Sequence, residues 1–235
     1  MKSNIEPILW YIIGLFIILG LTILPSVSYN NSWNEPMMQL DSASKMPDSP
    51  QKQELLEIAG EKIIEQFNLH PYHARLQMMV GYYYFLKGDM DSCIINNEAA
   101  LEKGKGGVVN SIEIPASELL ANASINKSLK LLAKGDTISA LNLHLRAFQH
   151  SKENLTLNKN LGWFYLNKNM ADSALFHYRI ALRRNKNDVE AALGLARAFY
   201  KTGNKDSIRV YTAFALKKQP QNKDALWLFN YSNGN

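Results

Sequence analysis

The sequence predicts an all-α fold, an α-solenoid of helix–turn–helix repeats preceded by a single N-terminal transmembrane helix. Three observations carry this. Leu155 to Asn222 reads as two copies of one pattern, 34 residues apart. Upstream of it, apolar residues recur at three- and four-residue spacings, the mark of helices with one buried face. Near the start, Ile8 to Leu24 is an uncharged, almost wholly apolar run.

Composition narrows the possible functions. The chain has 235 residues, of which 46% are hydrophobic and 20% charged, so most of it can fold. A net charge of +5 is small for a nucleic-acid binder unless it clusters. The longest basic cluster, Arg183-Arg184 with Lys186, ends a predicted helix, where cations also suit the helix dipole. The single cysteine, Cys93, excludes an internal disulfide framework and a cysteine-based metal cluster.

The run Ile8–Leu24 has 17 residues. As a helix it would cover about 26 Å, the short end of a bilayer span. Trp10 and Tyr11 mark one interface and Pro25 stops the helix. A retained anchor fits this length, whereas a cleaved signal has a shorter apolar core. Ser26-Val27-Ser28 would suit cleavage, which would leave a soluble exported module. Lys2 and the amino terminus precede the span, and the next basic residue is Lys45, so the N-terminus is expected in the cytoplasm and the rest on the exported side. The reverse topology would make the chain a membrane receptor with a cytosolic array. Residues 26–50, rich in Ser, Asn, Pro and Asp, read as a flexible linker.

The array is expected over residues 51–235. In the partial unit 51–73, Leu55, Leu56, Ala59, Ile63, Ile64 and Phe67 form one helix face. It reads as a second half whose first half is lost into the linker. Full units follow at 74–107, 121–154, 155–188 and 189–222, then a terminal helix at 223–231. Gly81, Ser128, Gly162 and Ala196 give close helix approach, and Tyr84, Leu131, Tyr165 and Phe199 fill the space between. Gly88, Gly135, Asn169 and Gly203 suit the left-handed turn after each first helix. Asp91, Asp172 and Asp206 stand where they can cap the second helices. An insertion lies between the first two full units, with the next helix starting near Pro115 and running about a turn longer than its counterparts.

The places Leu161-Gly162-x-x-Tyr165, Ala174, Tyr178, Ala181 and, one period on, Leu195-Ala196-x-x-Phe199, Ala215 and Pro220 resemble the tetratricopeptide repeat. The resemblance covers about Ala74 to Asn222. No unit has the early Trp of that family (Gln77, Ser124, Asn158 and Ala192 stand there), and among the full units only Pro220 keeps the final proline. It implies a right-handed solenoid whose first helices line a concave groove for peptides or partner helices.

Nothing in the chain positions a reaction. Gly104-Lys105-Gly106-Gly107 lacks the Ser/Thr and preceding strand of a phosphate loop. The five histidines, His70, His73, His144, His150 and His177, show no ligand spacing. His144 takes a place where the family packs an aromatic, and Cys93 one where it has Ala. The N-x-S/T triplets at Asn30, Asn122, Asn154 and Asn230 match chance in a chain this rich in Asn and Ser. No enzyme activity, cofactor, metal, small-molecule substrate or nucleic-acid partner is expected.

The resemblance places the groove on Arg75, Met78, Tyr82 and Phe85, then Leu129 with Ile125 and Leu132. It continues through Lys159, Trp163, Leu166 and Asn167 to Glu190, Arg197, Tyr200 and Lys201. Tyr, Trp and Arg carry most interface energy. The basic end suits a segment with acidic character. One subfamily clamps a C-terminal carboxylate with a Lys/Asn set; Lys159 fits its first place, but Trp163 stands where the Asn belongs. The expected function is a membrane-anchored scaffold for other proteins. The layout is analogous to accessory factors of envelope assembly or biogenesis complexes.

Overall fold

The computed structural model describes residues 33–104 and 116–234. They form eleven α-helices and, among the described residues, no strand. The helices are α1 (Asn34–Lys45), α2 (Pro50–Leu69), α3 (Ala74–Lys87), α4 (Met90–Gly104), α5 (Ala116–Ala133), α6 (Thr137–His150), α7 (Leu155–Asn167), α8 (Ala171–Arg184), α9 (Val189–Thr202), α10 (Lys205–Lys218) and α11 (Lys223–Asn233). Each odd-numbered helix up to α9 packs on the even-numbered one that follows, and α11 closes against α10. First helices approach side by side in two runs, α1–α3–α5 and α7–α9–α11. The result is an all-α solenoid.

Turn chemistry sets the hairpins. Gly88, Gly135 and Gly203 adopt φ of 78°, 79° and 75°, and Asn169 adopts 57°. This is the left-handed conformation that stops a helix with little steric penalty for Gly or Asn. Three second helices of the full units are capped from the turn, at Asp89 and Asn204 two residues before the expected acid, while α8 follows Met170 without a side-chain cap. Asp89 accepts from the Ser92 amide (3.1 Å), Asp136 from Ser139 (3.0 Å) and Asn204 from Ser207 (3.0 Å). Asp91, Asp172 and Asp206 instead lie inside the first turns, where a carboxylate still favours the dipole.

The linker expected over residues 26–50 is corrected by α1. Trp33, Met37, Leu40 and Ala43 fall at helical spacing, and all four are buried in one core with Leu56, Ile63, Met78 and Tyr82. Burying that face outweighs the weak helix propensity of the Ser- and Asp-rich remainder. Thus α2 has its first-helix partner; Ser49 Oγ caps it at 3.2 Å from the Lys52 amide, with Pro50 in the first turn. The predicted transmembrane run Ile8–Leu24, residues 26–32 and residues 105–115 of the insertion lie outside the described residues. Among the described residues no helix is long and apolar enough to cross a membrane. Helix α5 spans 18 residues, against 14, 13 and 14 for α3, α7 and α9.

Small residues bring the helices together. The buried Tyr178 ring on α8 lies between Gly162 of α7 and Gly194 of α9. A Cβ would meet it at 2.7 Å from the first and 2.3 Å from the second. Burial pushes the Tyr178 phenol up to about 12.

The join around α7 is unusually polar. His144 Nδ1 lies 2.8 Å from the Ala140 carbonyl and Asn160 Nδ2 lies 3.1 Å from His144 Nε2. His177 Nδ1 lies 2.9 Å from Asn158 Oδ1, while Asn158 Nδ2 donates to the Lys152 and Asn154 carbonyls at 2.8 Å each. These partners put a proton on Nδ1 of both rings, and the Asn160 amide donating to Nε2 makes His144 neutral. Burial lowers both pKa values, that of His177 to about 4. Cys93 is fully buried, and its thiol is pushed up to about 12 mainly by desolvation.

Candidate binding groove

The first helices α7, α9 and α11 enclose a concave groove of about 550 Å³. Its lining includes Trp163, Leu166 and Asn167 from α7, Asn169 from the following turn, Arg197, Tyr200 and Lys201 from α9, and Asp224, Trp227 and Leu228 from α11. Spacings of three and four place each set on one helix face. The deeper side of each helix is committed elsewhere: Leu161, Phe164, Leu195 and Ala198 are buried in the core.

Aromatic surface stays open to solvent here. Trp163 is 45% exposed and Trp227 54%. Tyr200 stands edge-on to Trp227 at 5.2 Å and to Tyr231 at 4.7 Å, and Trp227 stacks on Tyr231 at 6.1 Å. These contacts hold one wall rigid. Trp163 packs edge-on against the buried Phe164 at 5.1 Å.

The cations of the groove are already engaged. Arg197 Nε and Nη2 lie 2.9 and 2.8 Å from Asp224 Oδ2. Lys201 Nζ donates to Asn169 Oδ1 at 3.0 Å. Lys159, at the edge of this region, lies 2.7 Å from Glu190 and 3.1 Å from Asp188. Burial alone would lower the Lys159 pKa; the two carboxylates more than offset it, so the pKa is raised. The basic end expected for an acidic partner is therefore largely neutralised from within. Lys201 alone among these three cations has an uncharged partner.

The expected groove residues divide accordingly. Trp163, Asn167, Arg197, Tyr200 and Lys201 come together with Leu166. Met78 and Tyr82 are buried beneath α1, and Tyr82 has its phenol pKa raised by desolvation with Ser44 as hydrogen-bond partner. They are corrected from groove to core, because the first unit is covered by the helix read as linker. Phe85, Ile125 and Leu132 are half-buried against the same core, and Arg75 is half-buried. Leu129 is exposed on α5, away from the 550 Å³ groove. Asn169, Asp224, Trp227 and Leu228 were not expected. The signal was available for two of them. Asp224 lies one period after Glu190 and Trp227 two periods after Lys159, both already placed in the groove.

No three His, Cys, Asp or Glu residues among those described are grouped to hold a metal ion. His144 and His177 serve the packing described above, and His73 stands edge-on to Trp33 at 4.5 Å.

No family model and no curated protein matches the chain. Solved structures do. A tetratricopeptide repeat protein from Parabacteroides merdae is 17% identical, with a TM-score of 0.52 over 86% of this chain and 74% of that one. A structure described as the functional characterisation of Pseudomonas aeruginosa pilF is 17% identical, with a TM-score of 0.49 over 86% and 85%. YrrB, described as a tetratricopeptide protein with an unusual peptide-binding site, is 16% identical, with a TM-score of 0.49 over 87% and 96%. The first of these likenesses shows a shared fold, that of helix-pair repeats.

Proposed function

We propose that this chain is a non-catalytic protein-binding scaffold whose partner segment lies in the groove of α7, α9 and α11. The observation that carries this is the pair of open tryptophans, Trp163 and Trp227, on different helices that line one concavity. A large aromatic surface held by neighbouring rings gains contact area on binding at little cost in side-chain entropy. With Lys159 and Arg197 paired internally, the partner is chosen chiefly by apolar and aromatic side chains, and Asn167 and Asn169 offer amides to its backbone.

The scaffold is proposed to be membrane-anchored through Ile8–Leu24, with its N-terminus cytoplasmic and the array on the exported side. The apolar run and the position of Lys2 support this. Such a layout fits an accessory role in an envelope assembly or biogenesis complex. Affinity capture from detergent-solubilised source membranes tests the groove, comparing wild type with Trp163→Ala/Trp227→Ala. Partners lost from the double variant but kept by an Ile138→Ala control support it; an unchanged partner set overturns it.

A further inference from the structure

The helices alternate in direction, so every turn from a second helix to the next first helix lies on one edge of the array. The chain enters on that same edge, at Trp33, whose ring packs edge-on against His73 in the turn between α2 and α3. This first turn is apolar and open: Leu69 is 62% exposed and Tyr72 89%.

Further along the same edge, three successive turns are strongly basic. From the last two residues of each second helix to the first two of the next, residues 149–156, 183–190 and 217–224 hold seven Lys or Arg and four acids. All four acids are engaged, Glu153 with Arg183 at 2.5 Å, Asp188 and Glu190 with Lys159 at 3.1 and 2.7 Å, and Asp224 with Arg197 at 2.8 Å. Six exposed cations, Lys152, Arg184, Lys186, Lys217, Lys218 and Lys223, have no ion pair among the described residues. The opposite edge differs. Over the same windows its turns, 132–138, 166–172 and 201–206, hold four lysines and three aspartates.

Helix dipoles account for only part of this. Arg184, Lys217 and Lys218 end α8 and α10, where a cation is favoured. Lys152 and Lys186 lie in turns, and Lys223 opens α11, where the dipole opposes a cation. Six exposed cations without an ion pair on one edge suit an external anion.

We propose that this edge rests on an anionic lipid bilayer, with Leu69 and Tyr72 at the interface and the six cations over the headgroups. This rests on the anchor reading for its geometry. Eight residues, 25–32, separate the apolar run from Trp33, so the chain joins the array on this edge. At most about 28 Å of extended chain is available, and the cations act within a screening length of about 10 Å at 0.1 M salt. Docking in this way fixes which way the groove faces.

The test uses the full chain in vesicles of phosphatidylcholine, alone or mixed with phosphatidylglycerol. A fluorophore is placed on the basic edge through Asn187→Cys or on the opposite edge through Thr137→Cys; native Cys93 is buried and stays silent. Anionic lipid should shield position 187 from an aqueous quencher, and position 137 should not respond. Each of Lys186→Gln and Lys217→Gln should shift the docked-to-free ratio by about threefold, as expected for one charge at a surface potential of about −30 mV. Salt should reverse the shielding. Equal quenching at 187 in both lipids overturns the proposal. So does shielding by added duplex DNA with no lipid effect, which would mark the edge as a nucleic-acid surface. Carbonate-resistant flotation with pure phosphatidylcholine vesicles reads the anchor separately. A chain that fails there but is shielded at 187 by anionic vesicles keeps the edge and loses the anchor.

Discussion

Lys159 lies 2.7 Å from Glu190, a residue 31 positions further along the chain on the neighbouring first helix. Its ammonium also reaches Asp188, which caps α9 through the Ala191 amide at 2.8 Å. The lysine thus ties α7 to the start of α9. Lys159→Ala should lower stability by about 1–2 kcal/mol, since it leaves a largely buried carboxylate with one partner fewer. Urea denaturation checks this, and partner affinity should change little.

Trp163 and Trp227 should behave in the opposite way. Their rings are half-exposed, so truncation should cost little stability, within about 1 kcal/mol. If they anchor the partner, each change to Ala should weaken binding by about tenfold or more. Titration of a captured partner segment against both variants measures it. Normal affinity with lost stability would make these rings structural.

Leu40→Ala provides a direct check on α1. The side chain is fully buried in the core that also holds Met78 and Tyr82. Removing it should cost about 2–4 kcal/mol. A free tether at this place would give no measurable change in the denaturation midpoint.

The buried histidines make stability depend on pH. Burial holds the folded-state pKa of His177 at about 4, below an unfolded value of about 6.5. Between those values the unfolded chain binds more protons. The contribution is therefore complete above pH ~6.5 and declines as pH falls toward ~4, by roughly 3 kcal/mol. His144 shifts in the same direction. His177→Gln should flatten this profile, read as the urea midpoint at a series of pH values. A profile unchanged by the substitution would count against a neutral buried ring.

The repeating helices were legible because their packing residues recur at a fixed interval, and Gly88, Gly135, Asn169 and Gly203 punctuate them. Helix α1 was hidden for a physical reason. Its buried face is only Trp33, Met37, Leu40 and Ala43, set among residues typical of loops, and it keeps no small-then-aromatic signature. The spacing of those four was the signal to follow. In the groove, residue types were readable but their pairing was not. Arg197 meets Asp224 and Lys201 meets Asn169 across 27 and 32 positions. Such intervals become neighbours only once helices stand side by side. A basic groove in the sequence is thus a nearly neutral one in space.

The placement of Tyr178 has a mechanical consequence. With Gly162 against one edge of the ring and Gly194 against the other, α7 and α9 are held apart by one aromatic side chain. That ring acts as a spacer gauge for the two helices that carry Trp163 and Arg197. The groove cannot pinch shut onto a ligand unless the spacer moves. Its width has a lower limit, so a slender partner is not gripped by closure and must fill the space with its own side chains.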